Sequence, residues 1–419
     1  MHKGSGQQHR NLSQHRVVIT GAGIITSMGQ GWRDNAEGFR QGRQAFGDVT
    51  LFDTSRQRVH QAGEVSLPEA LPDNLLPERQ LLRLDRASNL LLHATAEALR
   101  QAGWSEQDLA EEIPIVLGTS AGAMFCGEEF CRRSISGPNR RRGQASRIHQ
   151  YQAQHQALLL ENAFAIRGPV NIISNACASG ANAIGHAFRL LKYGHCQKAV
   201  AGGYDALSQL VFAGFDSLQA LTQTLPPRPF DLNRDGLALG EGAGVLMLET
   251  LQSAQRRGAE ILAELSGYGA STDIHHLAQP HPQGDAALTS MTEACEEAKL
   301  NPEHIHYINS HGTGTPKNDV AEGMAIARWA GSKVGQIKVS STKACIGHLL
   351  GGAGAVETVI SLMALREQWL PPTTTIENLD PVCTFDLVRQ PREAQVNAVL
   401  TNSFGFGGAN ATLILKQFD

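Results

Sequence analysis

A short phrase recurs seven times along this chain: an apolar run, often β-branched, that breaks into glycine, alanine, serine or asparagine. It reads VVITGAGIITSMG from Val17, IPIVLGTSAGA from Ile113, VNIISNACASG from Val170 and KAVAGGYDAL from Lys198. It returns as HIHYINSHGTG from His304, IKVSSTKACIGH from Ile337 and NAVLTNSFGFGGAN from Asn397. Several copies run on into helical stretches such as ANAIGHAFRLLKYG and GAVETVISLMALREQ. Strands alternating with helices build βαβ units, and runs this apolar indicate buried, largely parallel sheets. The chain is therefore predicted to be an α/β protein. Its 43 glycines and 5% aromatics suit tight turns and close backbone approach better than stacking surfaces.

Two copies echo two others. VNIISNACASGANAIGHAFRLL resembles IKVSSTKACIGHLLGGAGAVETVISLM, and KAVAGGYDAL resembles NAVLTNSFGFGG. The separation far exceeds the ~20–50-residue period of a solenoid, so a duplicated half-domain is expected. The halves are placed at residues 17–259 and 260–419, meeting where QRRGAE ends a helix and ILAELSGYGA opens a strand. Residues 1–16 are polar, lack the apolar core of a signal peptide and are expected to form a flexible extension.

Composition removes several classes of function. The 419 residues are 42% hydrophobic and 18% charged, enough for a sizeable core. A net charge of −4 argues against a surface committed to nucleic acid. No apolar run approaches the ~20 residues of a membrane span. The seven cysteines are scattered without a C-x-x-C, so neither a disulfide framework nor a zinc site is expected, and a cytoplasmic setting follows. Cys126 with Cys131 and the doublet His275–His276 match no usual metal spacing, and no metal or other cofactor is expected. GAGIIT, at 21–26, imitates a dinucleotide fingerprint but lacks its third glycine, and is read as a structural turn.

The candidate chemistry lies at the ends of the predicted strands, where open α/β sheets place their sites. Cys177 follows VNIIS and precedes a helix, a position whose free N–H groups and dipole favour thiolate. His311 ends the run HYIN, while Lys343 and His348 occupy a third strand–turn–helix junction. One histidine in such a turn is more often structural. A cysteine, two histidines and a lysine at equivalent strand ends form a far more specific constellation.

NACASG, HGTGTPKND, SSTKACIGH and NSFGFGGAN together resemble, in order and spacing, the elongating β-ketoacyl-acyl-carrier-protein synthases, closest to the synthase II type. The resemblance runs from Val17 to the end of the chain. It implies a thiolase-like fold, five layers αβαβα built from two similar halves. It also implies decarboxylative Claisen condensation of an acyl group with malonyl-carrier protein, in fatty-acid or polyketide elongation, without a cofactor. By resemblance, Cys177 is the acyl-accepting nucleophile, and His311 and His348 act on malonyl-carrier protein. Lys343 shapes the electrostatics with Glu322 as its accompanying carboxylate. Thr313 and Thr315 hydrogen-bond the phosphopantetheine arm. Phe406 gates the site, and its N–H joins that of Cys177 in an oxyanion hole.

The partners implied are acidic acyl carrier proteins, acyl- or malonyl-loaded. The stretch 128–150 holds six arginines against two glutamates; on its own it is as consistent with a solvated loop. By resemblance its Arg140 and Arg141, with Arg79 and Arg83, dock the carrier, although Gln219 stands where an arginine is expected. Asn175 replaces a threonine or serine, Ala278 replaces a threonine, and Ala121 falls where larger apolar residues limit the acyl pocket. A homodimer is implied, with a heterodimer containing a chain-length-factor-like subunit as the alternative. A non-catalytic subunit commonly lacks the cysteine, and a degradative thiolase would need a second cysteine that NSFGFGG does not supply.

Overall fold

In a computed structural model, which describes residues 14–68, 70–72, 75–136 and 145–418, the repeated phrases become strands of one continuous sheet. The first half supplies β1 (Val17–Thr26), β2 (Ile115–Gly118), β3 (Val170–Ile173), β4 (Lys198–Asp205) and β5 (Gly242–Thr250). The second supplies β6 (Ala263–Thr272), β7 (Tyr307–Asn309), β8 (Lys338–Ser340), β9 (Asp386–Leu387), β10 (Ala398–Phe404) and β11 (Ala409–Lys416). The order across the sheet is β9-β8-β7-β10-β11-β6-β1-β5-β4-β2-β3. Thus β3-β2-β4-β5-β1 in one half is matched strand for strand by β8-β7-β10-β11-β6 in the other. The sequence echo is a topological duplication.

Pairing is parallel between β2 and both β3 and β4, and between β7 and both β8 and β10. The long strands at the junction of the halves pair antiparallel instead. The parallel character inferred from the apolar runs therefore holds only for the outer strands of each half, away from the junction. Those are the strands whose C-terminal ends carry the candidate chemistry.

The principal helices are α1 (Arg86–Ala102), α2 (Ala153–Phe164), α3 (Ser179–Lys192), α4 (Asp285–Ala298), α5 (Pro316–Ala330) and α6 (Ala353–Glu367). Three apolar cores separate the layers. One lies between α1, α2 and the first half's strands, and another between α4, α5 and the second half's strands. The third contains α3 and α6 with strands from both halves. This is the expected five-layered arrangement. Every residue of α6 from Ala353 to Leu365 is buried, the signature of a helix enclosed on all sides.

GAGIIT is not a turn: it lies inside β1, which is buried along its whole length. Its glycines serve helix packing. A Cβ on Gly23 would stand 1.9 Å from the Ala94 carbonyl oxygen, so α1 lies directly on the strand backbone. The same device brings α3 and α6 together. A Cβ on Gly180 would meet the Ala355 nitrogen at 2.8 Å and the Gly351 oxygen at 2.9 Å. The N-terminal ends of the two central helices, one from each half, therefore touch backbone to backbone.

Candidate active site

Asn175-Ala176-Cys177 link β3 to α3, and the segment carrying Lys343 and His348 links β8 to α6. His311 follows the end of β7, and β10 runs into Gly405-Phe406. Ala176 adopts φ +56°, a left-handed conformation costly for a residue with a Cβ. Hydrogen bonds hold it there. Ser179 Oγ and Ser120 Oγ donate to the Ala176 carbonyl at 2.6 and 2.8 Å, and Asn175 N donates to Ser179 Oγ at 2.9 Å. The strained elbow aims Cys177 into the site while leaving it only 7% exposed. The Phe406 N–H donates to the cysteine sulfur. A Cβ on Gly405 would lie 3.2 Å from the Cys177 nitrogen, so this turn packs tightly against the nucleophile's backbone.

The two histidine rings stand edge to face, with centroids 5.3 Å apart. One ring nitrogen of each and the Cys177 sulfur all lie within 4.8 Å of one another. The Leu350 N–H donates to His348 Nδ1 at 3.2 Å, so in the neutral ring the proton sits on Nε2. That Nε2 and His311 Nδ1 are buried without a protein partner. Burial first, and the Lys343 charge second, hold both imidazoles well below the usual histidine range, and the His348 ring further depresses His311. The rings are neutral hydrogen-bonding groups at physiological pH.

The expected thiolate does not form in the resting site. Burial pushes the Cys177 thiol up to about 11, against the downward pulls of Lys343 and the Phe406 N–H. Desolvation outweighs the helix terminus. The carboxylate expected beside the lysine is also different. Lys343 Nζ pairs with Glu357 on α6, both being buried. Glu322 instead accepts from the N–H groups of His311 and Gly312 at 2.8 and 2.7 Å and from Asn402 Nδ2, shaping the His311 turn. Burial raises both carboxyls to about 7. Cys177, His311 and His348 have the reach to ligate a metal ion, but the Lys343 ammonium acts electrostatically on all three and opposes a second cation.

The trio, each member buried, lines a cleft of about 420 Å³. Thr313 and Thr315 line it with their hydroxyls 2.8 Å apart, as do Gln219 and Ala278. Phe406 lines it from a 42% exposed position, stacked on Phe215 at 6.0 Å. Ala121 does not line this cleft; it packs in an apolar cluster with Phe212, Leu221 and Leu350. Arg79 and Arg83 are exposed on and beside the short helix Glu78–Leu81, away from the cleft lining. Arg140 and Arg141 lie outside the described residues.

Sequence reasoning missed two buried carboxylates beyond Glu357. Asp205, at the end of β4, accepts from the backbone of two separate turns. Asp319 accepts from the N–H groups of Phe230, Thr313 and Gly314. The signal for Asp205 was present in KAVAGGYDAL, an acid at a strand end among small residues.

Residues 14–254 match the profile of the β-ketoacyl synthase N-terminal domain, and residues 262–377 match that of its C-terminal domain. The chain belongs to the β-ketoacyl synthase family. It is similar to 3-oxoacyl-[acyl-carrier-protein] synthase 2 of Synechocystis sp., 39% identical over 97% of this chain and 99% of that one. Among solved structures, the ishigamide ketosynthase/chain length factor is 32% identical, covers 97% of this chain and 100% of that chain, and superposes with a TM-score of 0.89. A type II polyketide ketosynthase, solved with its acyl-carrier protein and bound to a hexaketide, is 26% identical with a TM-score of 0.87 over 97% of this chain and 100% of that one. As a β-ketoacyl synthase this chain is an acyltransferase with a thiolase-like fold.

Proposed function

We propose that this β-ketoacyl synthase holds an acyl group on Cys177 and condenses it with malonyl-acyl carrier protein, giving a 3-oxoacyl-carrier protein two carbons longer. The observation that carries the assignment of roles is the convergence of Cys177, His311 and His348 within 4.8 Å in the lining of the cleft. In acyl transfer the sulfur attacks the incoming thioester and its proton leaves with the carrier thiol. A thiol held near 11 suits this exchange, because no free thiolate has to persist in the resting site. The Phe406 N–H acts on the sulfur, which supports its forming, together with the Cys177 N–H, the donor pair for the tetrahedral oxyanion.

For the malonyl half-reaction, the carboxylate leaves as CO₂ and its electron pair becomes an enolate. His348 Nε2–H, buried and unpartnered, is a donor to the enolate oxygen, and His311 stands edge-on beside it. Because both rings are neutral, they stabilise the enolate without protonating its carbon. The carbon then attacks the acyl-cysteine carbonyl and the sulfur departs, regaining a proton. Burial keeps the rings neutral, and the charge of Lys343, held by Glu357, adds to it. Thr313 and Thr315 are placed to hydrogen-bond the pantetheine arm along the cleft.

Acidic acyl carrier proteins are the partners, docked by Arg79, Arg83, Arg140 and Arg141, in the cytoplasm. Among the described residues no helix is long and apolar enough to cross a membrane. The protein acts as a homodimer, or as a heterodimer with a chain-length-factor-like subunit of the kind the ishigamide structure names. Incubation with acyl- and malonyl-carrier proteins followed by mass spectrometry tests the reading. An acyl adduct on Cys177 and a 3-oxoacyl product are expected; absence of both refutes it.

A further inference from the structure

We propose that Asp205 is a positioning residue that couples the nucleophile elbow of one half to the His348 turn of the other. It terminates β4 and is fully buried. Oδ1 accepts from Thr119 Oγ1 at 2.6 Å and from the N–H groups of Ala121 at 2.8 Å and Gly122 at 2.5 Å. Oδ2 accepts from the N–H groups of Gly351 at 2.6 Å and Gly352 at 3.3 Å, and Ser120 N reaches both oxygens. One carboxylate thus grips two turns from opposite halves of the chain.

Each turn acts on a different part of the site. Ser120, in the first, donates its hydroxyl to the carbonyl of Ala176, the strained residue before Cys177. In the second, Gly351 follows Leu350, whose N–H sets the His348 tautomer and which itself sits at φ +50°. A Cβ on Gly351 would lie 2.5 Å from Ser120 N, so the two turns are in direct contact. Asparagine at position 205 would keep the shape but present an NH₂ group to one set of N–H donors. A single atom's change would therefore loosen one turn relative to the other.

The inference rests on the condensation reading, and its test separates the two. Acyl loading of Cys177, decarboxylation of malonyl-carrier protein and condensation are measured in the wild type, Asp205→Asn and Ser120→Ala. Asp205→Asn is expected to lower kcat for decarboxylation by about 10²-fold, the scale of an ~1 Å misplacement, with KM for malonyl-carrier protein within about two-fold. Ser120→Ala, which frees only the elbow, is expected to slow acyl loading about ten-fold and leave decarboxylation near wild type. Wild-type rates in Asp205→Asn, or a change confined to KM, overturn the coupling. If Asp205→Asn does not fold, unchanged acyl loading by Ser120→Ala overturns it alone. A wild-type protein that neither loads nor decarboxylates refutes the condensation reading instead.

Discussion

Gly180 lies three residues after the nucleophile, where α3 meets α6. In Gly180→Ala the new Cβ would stand 2.8 Å from the Ala355 nitrogen and 2.9 Å from the Gly351 oxygen. Ordinary contacts with such atoms begin near ~3.4 Å, so the overlap is about 0.5 Å, and both obstructing atoms are backbone. Neither can rotate away; the helices must part. Overpacking of this kind costs about 1–3 kcal/mol, and the Gly-to-Ala gain in helix propensity returns up to ~1 kcal/mol. The expected net loss is roughly 0–3 kcal/mol, a fall of up to several degrees in Tm. Catalysis should suffer more, because Cys177 lies just before α3 and His348 shortly before α6: kcat for condensation is expected to fall about 10- to 10²-fold. Gly214 supplies the contrast. It sits in the exposed helix Gln209–Ser217, and a Cβ there meets nothing within 4 Å. Gly214→Ala should raise stability by about 0.5–1 kcal/mol. Thermal unfolding and steady-state kinetics on both variants check this. Wild-type kcat in Gly180→Ala would refute the claim that the helix crossing sets the geometry of the site.

Lys343→Met removes a charge that depresses both imidazoles. Their pKa values should rise toward ordinary histidine, so the acidic limb of the decarboxylation pH profile should move upward; an unmoved limb contradicts the role given to Lys343. Alkylation of Cys177 by iodoacetamide should climb about tenfold per pH unit from pH 7 to beyond 9, since the thiol lies near 11. A plateau near pH 7 would mean that the helix terminus outweighs burial. Replacing Arg79 and Arg83 by glutamate, and separately Arg140 and Arg141, should raise KM for carrier-bound substrates about tenfold at low salt and less at high salt, with kcat held. Unchanged KM would remove those residues from the docking surface.

The repeated strand-to-turn phrase made the α/β duplication legible because buried strands need apolar runs and their ends need small residues. The same rule misled at GAGIIT. There glycines admit a helix against a strand, and their neighbours on α1 are more than 60 residues away in sequence. Cys177, His311 and His348 were legible because each sits in a recurring local context. Electrostatics were not: the thiol's pKa follows from burial, which no local motif encodes. Glu357 and Asp205 escaped notice for a related reason. Each acts on groups that only folding brings close: Glu357 reaches Lys343 from α6 within the second half, and Asp205 reaches Gly351 across the two halves.

The assignment of roles is tested most directly by assaying acyl loading and malonyl decarboxylation separately in Cys177→Ala, His311→Ala and His348→Ala. The geometry predicts that Cys177→Ala loses acyl loading and with it condensation. Either histidine variant should load acyl groups yet lose most of its decarboxylation. Normal condensation by Cys177→Ala, or full decarboxylation by both histidine variants, would contradict the account.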